Sequence, residues 1–250
     1  MAVVYFRQNK HEDTITMLAE SFKFKLAILS NNHLDIAVSY CNIGCIYLTE
    51  SKYEEAISMC EKSLKIRLLI LDHDHLDIVN SYLSIAFAYH AQGKHEDALP
   101  MYKKAPRIQL LVFDHNHPDI GLTFKNLAKA YHKLGKIEVA IFKYEKSLKT
   151  QLSVLDHNHP NIVTLYVNMA LAYQDQSKHE EALSMYKKGF EIKLSVLDHN
   201  HPDFAVIREI LAQVYHQQSK RPFLSTRIYL EFHRHFLIAI ISILNNLIII

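Results

Sequence analysis

The same short segment returns five times along this chain, each time 42 residues after the last. The copies begin at Ser30, Asp72, Asp114, Asp156 and Asp198, and the third and fifth read Asp-His-Asn-His-Pro-Asp in full. A fixed period between about 20 and 50 residues marks a stacked array, in which each unit buries its apolar face only against its neighbours. Such a chain cannot fold around one central core. It leaves little room for an enzyme that needs one.

Between the segments each unit holds two stretches with apolar residues at helical spacing. The first carries Tyr40, Ile43, Gly44 and Tyr47, echoed by Tyr82/Ile85/Ala86/Tyr89, Phe124/Leu127/Ala128/Tyr131 and Tyr166/Met169/Ala170/Tyr173. Positions i, i+3, i+4 and i+7 make one stripe, and its Gly or Ala lets a second helix approach closely. The second stretch follows Ser51-Lys52, Gly93-Lys94, Gly135-Lys136 and Ser177-Lys178, whose small residues suit a tight turn between antiparallel helices. It runs through Ala56, Ala98, Ala140 and Ala182, with Cys60, Tyr102, Tyr144 and Tyr186 four residues on. The recurring segment falls where one pair of helices ends and the next begins. Proline at the first helical position lacks an amide hydrogen that would be unpaired anyway, and Asp in the first turn complements the positive helix end. The expected fold is all-α: a right-handed superhelical solenoid of antiparallel helix pairs.

The order large, small, large aromatic, then Ala and a bulky residue resembles the tetratricopeptide repeat, whose unit is 34 residues. The longer period here, with Leu-Asp-His-x-His-Pro-Asp and Lys-Tyr-Glu-Glu-Ala at 52–56, is similar to the repeats of kinesin light chains and their relatives. The resemblance covers about residues 1–220. That family also carries a coiled coil ahead of its repeats, and no sustained heptads occur in this chain.

Counting back by the period places Tyr5 and Lys10 at the end of a first helix, so a partial unit is expected over 1–29. Four full repeats follow at about 33–71, 75–113, 117–155 and 159–197, and the first helix of a sixth unit at 201–218. From Arg221 the register is lost. Residues 221–250 form an apolar non-repeat tail, and the last fifteen residues hold seven isoleucines and no charge. The tail reads as a misread or truncated gene end ahead of a capping helix or a membrane anchor. A spanning helix needs about 20 apolar residues, and Ser242, Asn245 and Asn246 interrupt this run. Pro100 and Pro106 stand inside a second helix and predict a kink there.

Only five glycines and six prolines in 250 residues argue against an all-β fold. Of 28 basic and 26 acidic residues, positions 221–250 hold three arginines and one glutamate, which leaves the first 220 residues neutral. Neutrality speaks against nucleic acid as a partner. Cys41, Cys45 and Cys60 all lie in one repeat, and an odd number reads as reduced thiols in a cytoplasmic protein. The His-x-His pairs at 73/75, 115/117, 157/159 and 199/201 invite a metal. Yet each pair lies in a different connector and lacks the further ligands a closed zinc site needs. Structural connectors are the expectation. No nucleophile-plus-base signature or glycine-rich phosphate loop stands out, so no catalytic residue, metal or cofactor is assigned.

The informative positions are those of the first helices that lie between the buried ones. The resemblance implies that these line a concave groove. They include Asn42 in the first full repeat, and Leu83 and Phe87 in the second. Lys125, Asn126, Lys129, His132 and Lys133 follow in the third, and Val167, Asn168 and Leu171 in the fourth. Lys125, Lys129 and Lys133 at i, i+4 and i+8 make a basic stripe, with Leu83/Phe87 and Val167/Leu171 as apolar pairs in the neighbouring repeats. A merely solvated face would not need those apolar residues. The expected function is a non-enzymatic adaptor that takes short acidic-hydrophobic peptides into this groove. In kinesin light chains the groove reads tryptophan-plus-acidic cargo peptides through Asn and Lys at comparable places. The resemblance thereby implies protein partners, with kinesin heavy chain or cargo adaptors among them; membranes are not expected partners. The alternative is the recognition arm of a larger enzyme or receptor.

Overall fold

A computed structural model describes residues 11–196, which divide after Asp156 into two compact units. The expected first helix of a sixth unit and the apolar tail lie outside the described residues. Within the first unit, α1 is His11–Ile28, α2 Leu34–Thr49, α3 Tyr53–Ile70 and α4 Leu76–Ala91. It continues with α5 His95–Val112, α6 Pro118–Lys133 and α7 Ile137–Leu152. The second unit contributes α8 Pro160–Asp175 and α9 His179–Val196. Among the described residues there are nine helices and no strand.

Each first helix folds back on the second helix that follows it: α2 on α3, α4 on α5, α6 on α7, and α8 on α9. The apolar stripes explain the pairing. Ile43, Ile85, Leu127 and Met169 are buried, as are the small residues Gly44, Ala86, Ala128 and Ala170 that follow them. Opposite them, Ala56, Ala98, Ala140 and Ala182 are fully covered, and so are Cys60 and Tyr144. At Gly44 the approach leaves no room for a side chain. A Cβ added there would fall 2.6 Å from Cys60 Sγ and 3.2 Å from the Ala56 carbonyl oxygen.

The hairpin turns share one construction. In the first, the Ser51 amide donates to the Leu48 carbonyl at 3.2 Å, and the Lys52 amide to the Tyr47 carbonyl at 2.9 Å. The same two bonds recur at Gly93/Lys94, Gly135/Lys136 and Ser177/Lys178. This pair of hydrogen bonds, from the two residues after the C-cap, closes the helix's last carbonyls and requires a left-handed residue. Gly93 and Gly135 meet that need at φ 78° and 70° without a Cβ, whereas Ser51 and Ser177 adopt it at 58° and 59°.

The recurring segment is a helix cap built on histidine. His33, His75, His117 and His159 occupy the position before a first helix in extended backbone. The Nδ1 atoms of His33, His75 and His159 each accept a hydrogen bond at 3.1 Å, from the amides of Asp35, Asp77 and Asn161 in turn. His117 accepts from the Asp119 amide at 3.3 Å. An amide that the helix leaves unpaired is thereby satisfied. Pro118 and Pro160 take the first helical position, as the sequence predicts. At α6 the cap is braced further, because Phe113 stacks flat on His117 with ring centroids 3.7 Å apart.

Neighbouring pairs in the first unit join through α1 on α2, α3 on α4 and α5 on α6. The α4–α5–α6 core contains Ala86, Leu99, Tyr102, Ile120, Phe124 and Leu127, so one apolar cluster spans two repeats. Helix α5 runs unbroken from His95 to Val112 through both Pro100 and Pro106. Neither proline can donate a backbone bond to the residue four before it, so Glu96 and Tyr102 lose their usual amide partners. Pro100 is exposed and matches Ser58 of the preceding repeat. Pro100→Ser should therefore stabilise the array by up to about 3 kcal/mol, read as a higher midpoint in urea or thermal unfolding.

Candidate peptide-binding face

In the first unit the face is carried by α2, α4 and α6. Asn42 is exposed on α2; Leu83 is half-buried on α4, and Phe87 is 51% exposed one turn further along. Leu83 packs against the α4–α5–α6 core, so α4 presents one anchored apolar side chain and one open one. Leu122 adds a third apolar surface on α6 at 41% exposed.

The basic stripe on α6 is graded rather than uniform. Lys125 is only 8% exposed, Lys129 and His132 are half-buried, and Lys133 is exposed. Asn126 is half-buried beside them. Burial disfavours the charge of Lys125 and draws its pKa below the ordinary lysine value, and Lys129 lowers it further. Lys129 and Lys133 are thus the members of the stripe that solvent reaches most readily.

The structure brings two further groups to this place. His90, near the end of α4, and His95, at the start of α5, set their Nδ1 atoms 3.1 Å apart across the hairpin turn. Their ring centroids are separated by 4.6 Å, and the His90 ring meets Tyr102 edge-on at 6.4 Å. Burial lowers the His90 pKa to about 4, with His95, Lys129 and Lys133 pushing in the same direction. His95 is lowered too, by burial first and then by Lys133. The end of α4, the start of α5 and the last turns of α6 therefore share one electropositive corner. His90 occupies a face position readable from the repeat, but His95 does not. Its neighbour across the turn is set by the left-handed residue at Gly93.

In the second unit, α8 carries Val167 and Asn168, both half-buried, and Leu171, 43% exposed. Asn168 Nδ2 is buried without a hydrogen-bond partner. A buried amide of this kind is costly unless something satisfies it.

The connector histidines are otherwise engaged, since the second member of each described pair spends Nδ1 on its helix cap. Among the described residues, no group of three or more His, Cys, Asp or Glu could hold a metal ion. No helix among them is long and apolar enough to cross a membrane.

Helix hairpins repeated at a fixed interval, each closed by the same turn and started by the same cap, define a helical-repeat scaffold. The tetratricopeptide repeat family matches the chain at residues 1–68, 46–109, 77–153, 143–195 and 161–222, and the chain belongs to that family. Such repeats are scaffolds for protein–protein interaction. No curated protein matches it in sequence. Among solved structures it is similar to nearly identical TPR-like repeats assigned to a kinesin light chain of Podosopora anserina. The identity there is 22% and the TM-score 0.69, over 78% of this chain and 92% of that one. BtubC (BKLC) from P. vanneervenii shares 17% identity and a TM-score of 0.69, with 92% of each chain covered. The apo form of RapI shares 13% identity and a TM-score of 0.70, over 95% of this chain and 81% of the other. At these identities the likeness is one of fold.

Proposed function

We propose that this protein is an adaptor that binds short peptides combining acidic and bulky apolar residues on its first helices. The observation that carries this reading is the juxtaposition in the first unit of exposed Phe87 with the corner of His90, Lys129 and Lys133. An apolar side chain of the ligand would lie on Phe87 and Leu83, while its carboxylates would meet Lys129 and Lys133. Asn42 and Asn126 would hydrogen-bond the peptide backbone, which otherwise loses its water contacts on docking. In the second unit, Val167 and Leu171 offer a further apolar surface and Asn168 an unsatisfied donor.

The similarity to kinesin light chain repeats supports the same recognition mode, with kinesin heavy chain or cargo adaptors as partners and the cytoplasm as the working compartment. Fluorescence anisotropy with the full chain tests the binding reading directly. A labelled peptide carrying one tryptophan among aspartates and glutamates should bind saturably, and its lysine-substituted counterpart should not. Equal titration curves for the two peptides, or no saturation with either, would reject the reading.

A further inference from the structure

Two second helices end in three consecutive exposed apolar residues: Leu68, Leu69 and Ile70 on α3, and Leu110, Leu111 and Val112 on α5. Single apolar side chains on a surface need no explanation. An exposed run of three adds nothing to the chain's own core and marks a contact surface. The middle residue is the most open, Leu69 at 66% and Leu111 at 76%. At the same position the next two repeats carry Ser153 and Ser195. The hairpin therefore forms without leucine there, and α9 continues through its serine. Leu69 and Leu111 stand one period apart in stacked repeats, so the two helix ends fall along one edge of the first unit.

Charge crosses that edge in a fixed order. One turn before each leucine, on the same helix face, is an exposed cation: Lys65 before Leu69 and Arg107 before Leu111. Three residues after each leucine is an exposed acid, Asp72 or Asp114. Among the described residues, none of these four charged groups forms an ion pair. By contrast, Lys62, Lys103 and Lys104 of the same helices lie over the rings of Tyr40, Tyr131 and Tyr82. The edge thus presents a basic row, an apolar row and an acidic row.

Only a partner with the opposite order matches all three rows. An anionic lipid surface would take the leucines with the aspartates set against it, and a partner of one charge would satisfy one row and oppose the other. A second copy supplies the opposite order. Turned about a two-fold axis parallel to the rows, it sets leucine on leucine and places each copy's acidic row over the basic row of the other. Lys65 of either copy then faces Asp72 of the other, and Arg107 faces Asp114.

We propose that this edge is a homodimer interface, in which the ends of α3 and α5 pack against the same helix ends of a second copy. The contact is self-complementary and occupies the edge completely, so association closes at two. It lies on the second helices and does not rest on the peptide-binding reading of the first.

Sedimentation velocity on the full chain over a concentration series should show a monomer–dimer equilibrium and no larger species. Leu69→Ser combined with Leu111→Ser copies the residues of the later repeats and should leave the circular dichroism unchanged. It should weaken dimerisation about 100-fold or more, because four leucines per dimer lose their burial. Arg107→Glu should weaken it about tenfold, and adding Asp114→Lys should recover that loss, since the two charges are then exchanged in both copies. A chain that stays monomeric up to about 100 µM would overturn the proposal. So would growth beyond the dimer, a dimer that the two serines leave intact, or a charge-exchanged chain no better than Arg107→Glu alone. A monomer that floats with phosphatidylserine vesicles would also overturn it and assign the edge to a lipid surface.

Discussion

Replacing Lys129 and Lys133 by glutamate should weaken capture of the acidic tryptophan peptide on the order of 100-fold and leave the helical content unchanged. Each partly exposed lysine contributes up to about 1 kcal/mol of attraction to a carboxylate, and reversal turns that attraction into a comparable repulsion. Two positions then give about 3 kcal/mol, which corresponds to the stated loss. The wild-type complex should also weaken between low salt and about 0.15 M, because the stripe faces solvent and is screened. Lys125 is deliberately left out of this test. At 8% exposure a glutamate there would strain the packing around α6, and lost binding could not be told from lost structure. Unchanged anisotropy titrations for the double variant would remove the electropositive corner from the binding face. Circular dichroism on the same samples separates binding from folding.

Tyr102→Ala should produce the largest loss of stability of any single change in the α4–α5–α6 core, about 3–5 kcal/mol. The side chain is 2% exposed and sits in one cluster with Ala86 on α4 and with Ile120 and Phe124 on α6. Its removal opens a cavity within its own helix pair and also loosens the joint with the next pair. In an array that joint carries the cooperativity, since each repeat is stabilised mainly through its neighbours. The urea transition should therefore broaden as well as move. A variant that unfolds at the wild-type midpoint would show that the cluster does not couple the repeats. His90 meets the Tyr102 ring edge-on, so the same substitution should also disturb the His90–His95 contact.

Much of this architecture is legible without coordinates, for a physical reason. The helix stripes, the small residues at Gly44, Ala86, Ala128 and Ala170, and the Gly or Ser turns are encoded within spans of four to eight residues. Their recurrence at a constant interval averages out the ambiguity of any one copy. The connector shows where that reading stops. Proline and Asp mark a helix start by residue type alone, but the role of His75 or His117 depends on the angle at which its ring meets the following amide. The residue types invite a metal, although their placement in separate connectors without further ligands favours a structural role. The prolines of α5 mark a similar limit, since their local preference disfavours a helix interior while the packed helix remains continuous.

The sequence by itself determined the repeat, the helix pairs and the family, because each depends on short-range periodicity, and the first-helix positions proposed to meet a partner follow from the same register. The tertiary structure decided which of those positions are available. It buries Lys125 while leaving Lys133 exposed, although the two belong to one regular stripe, because Lys125 lies in the middle of α6 and Lys133 at its end. It brings His95 to His90 through a left-handed turn, and it sets Arg67 of α3 against the Asp77 carbonyl and Ser81 of α4. Those juxtapositions depend on how separate helices dock, and the interval between repeats carries no record of them.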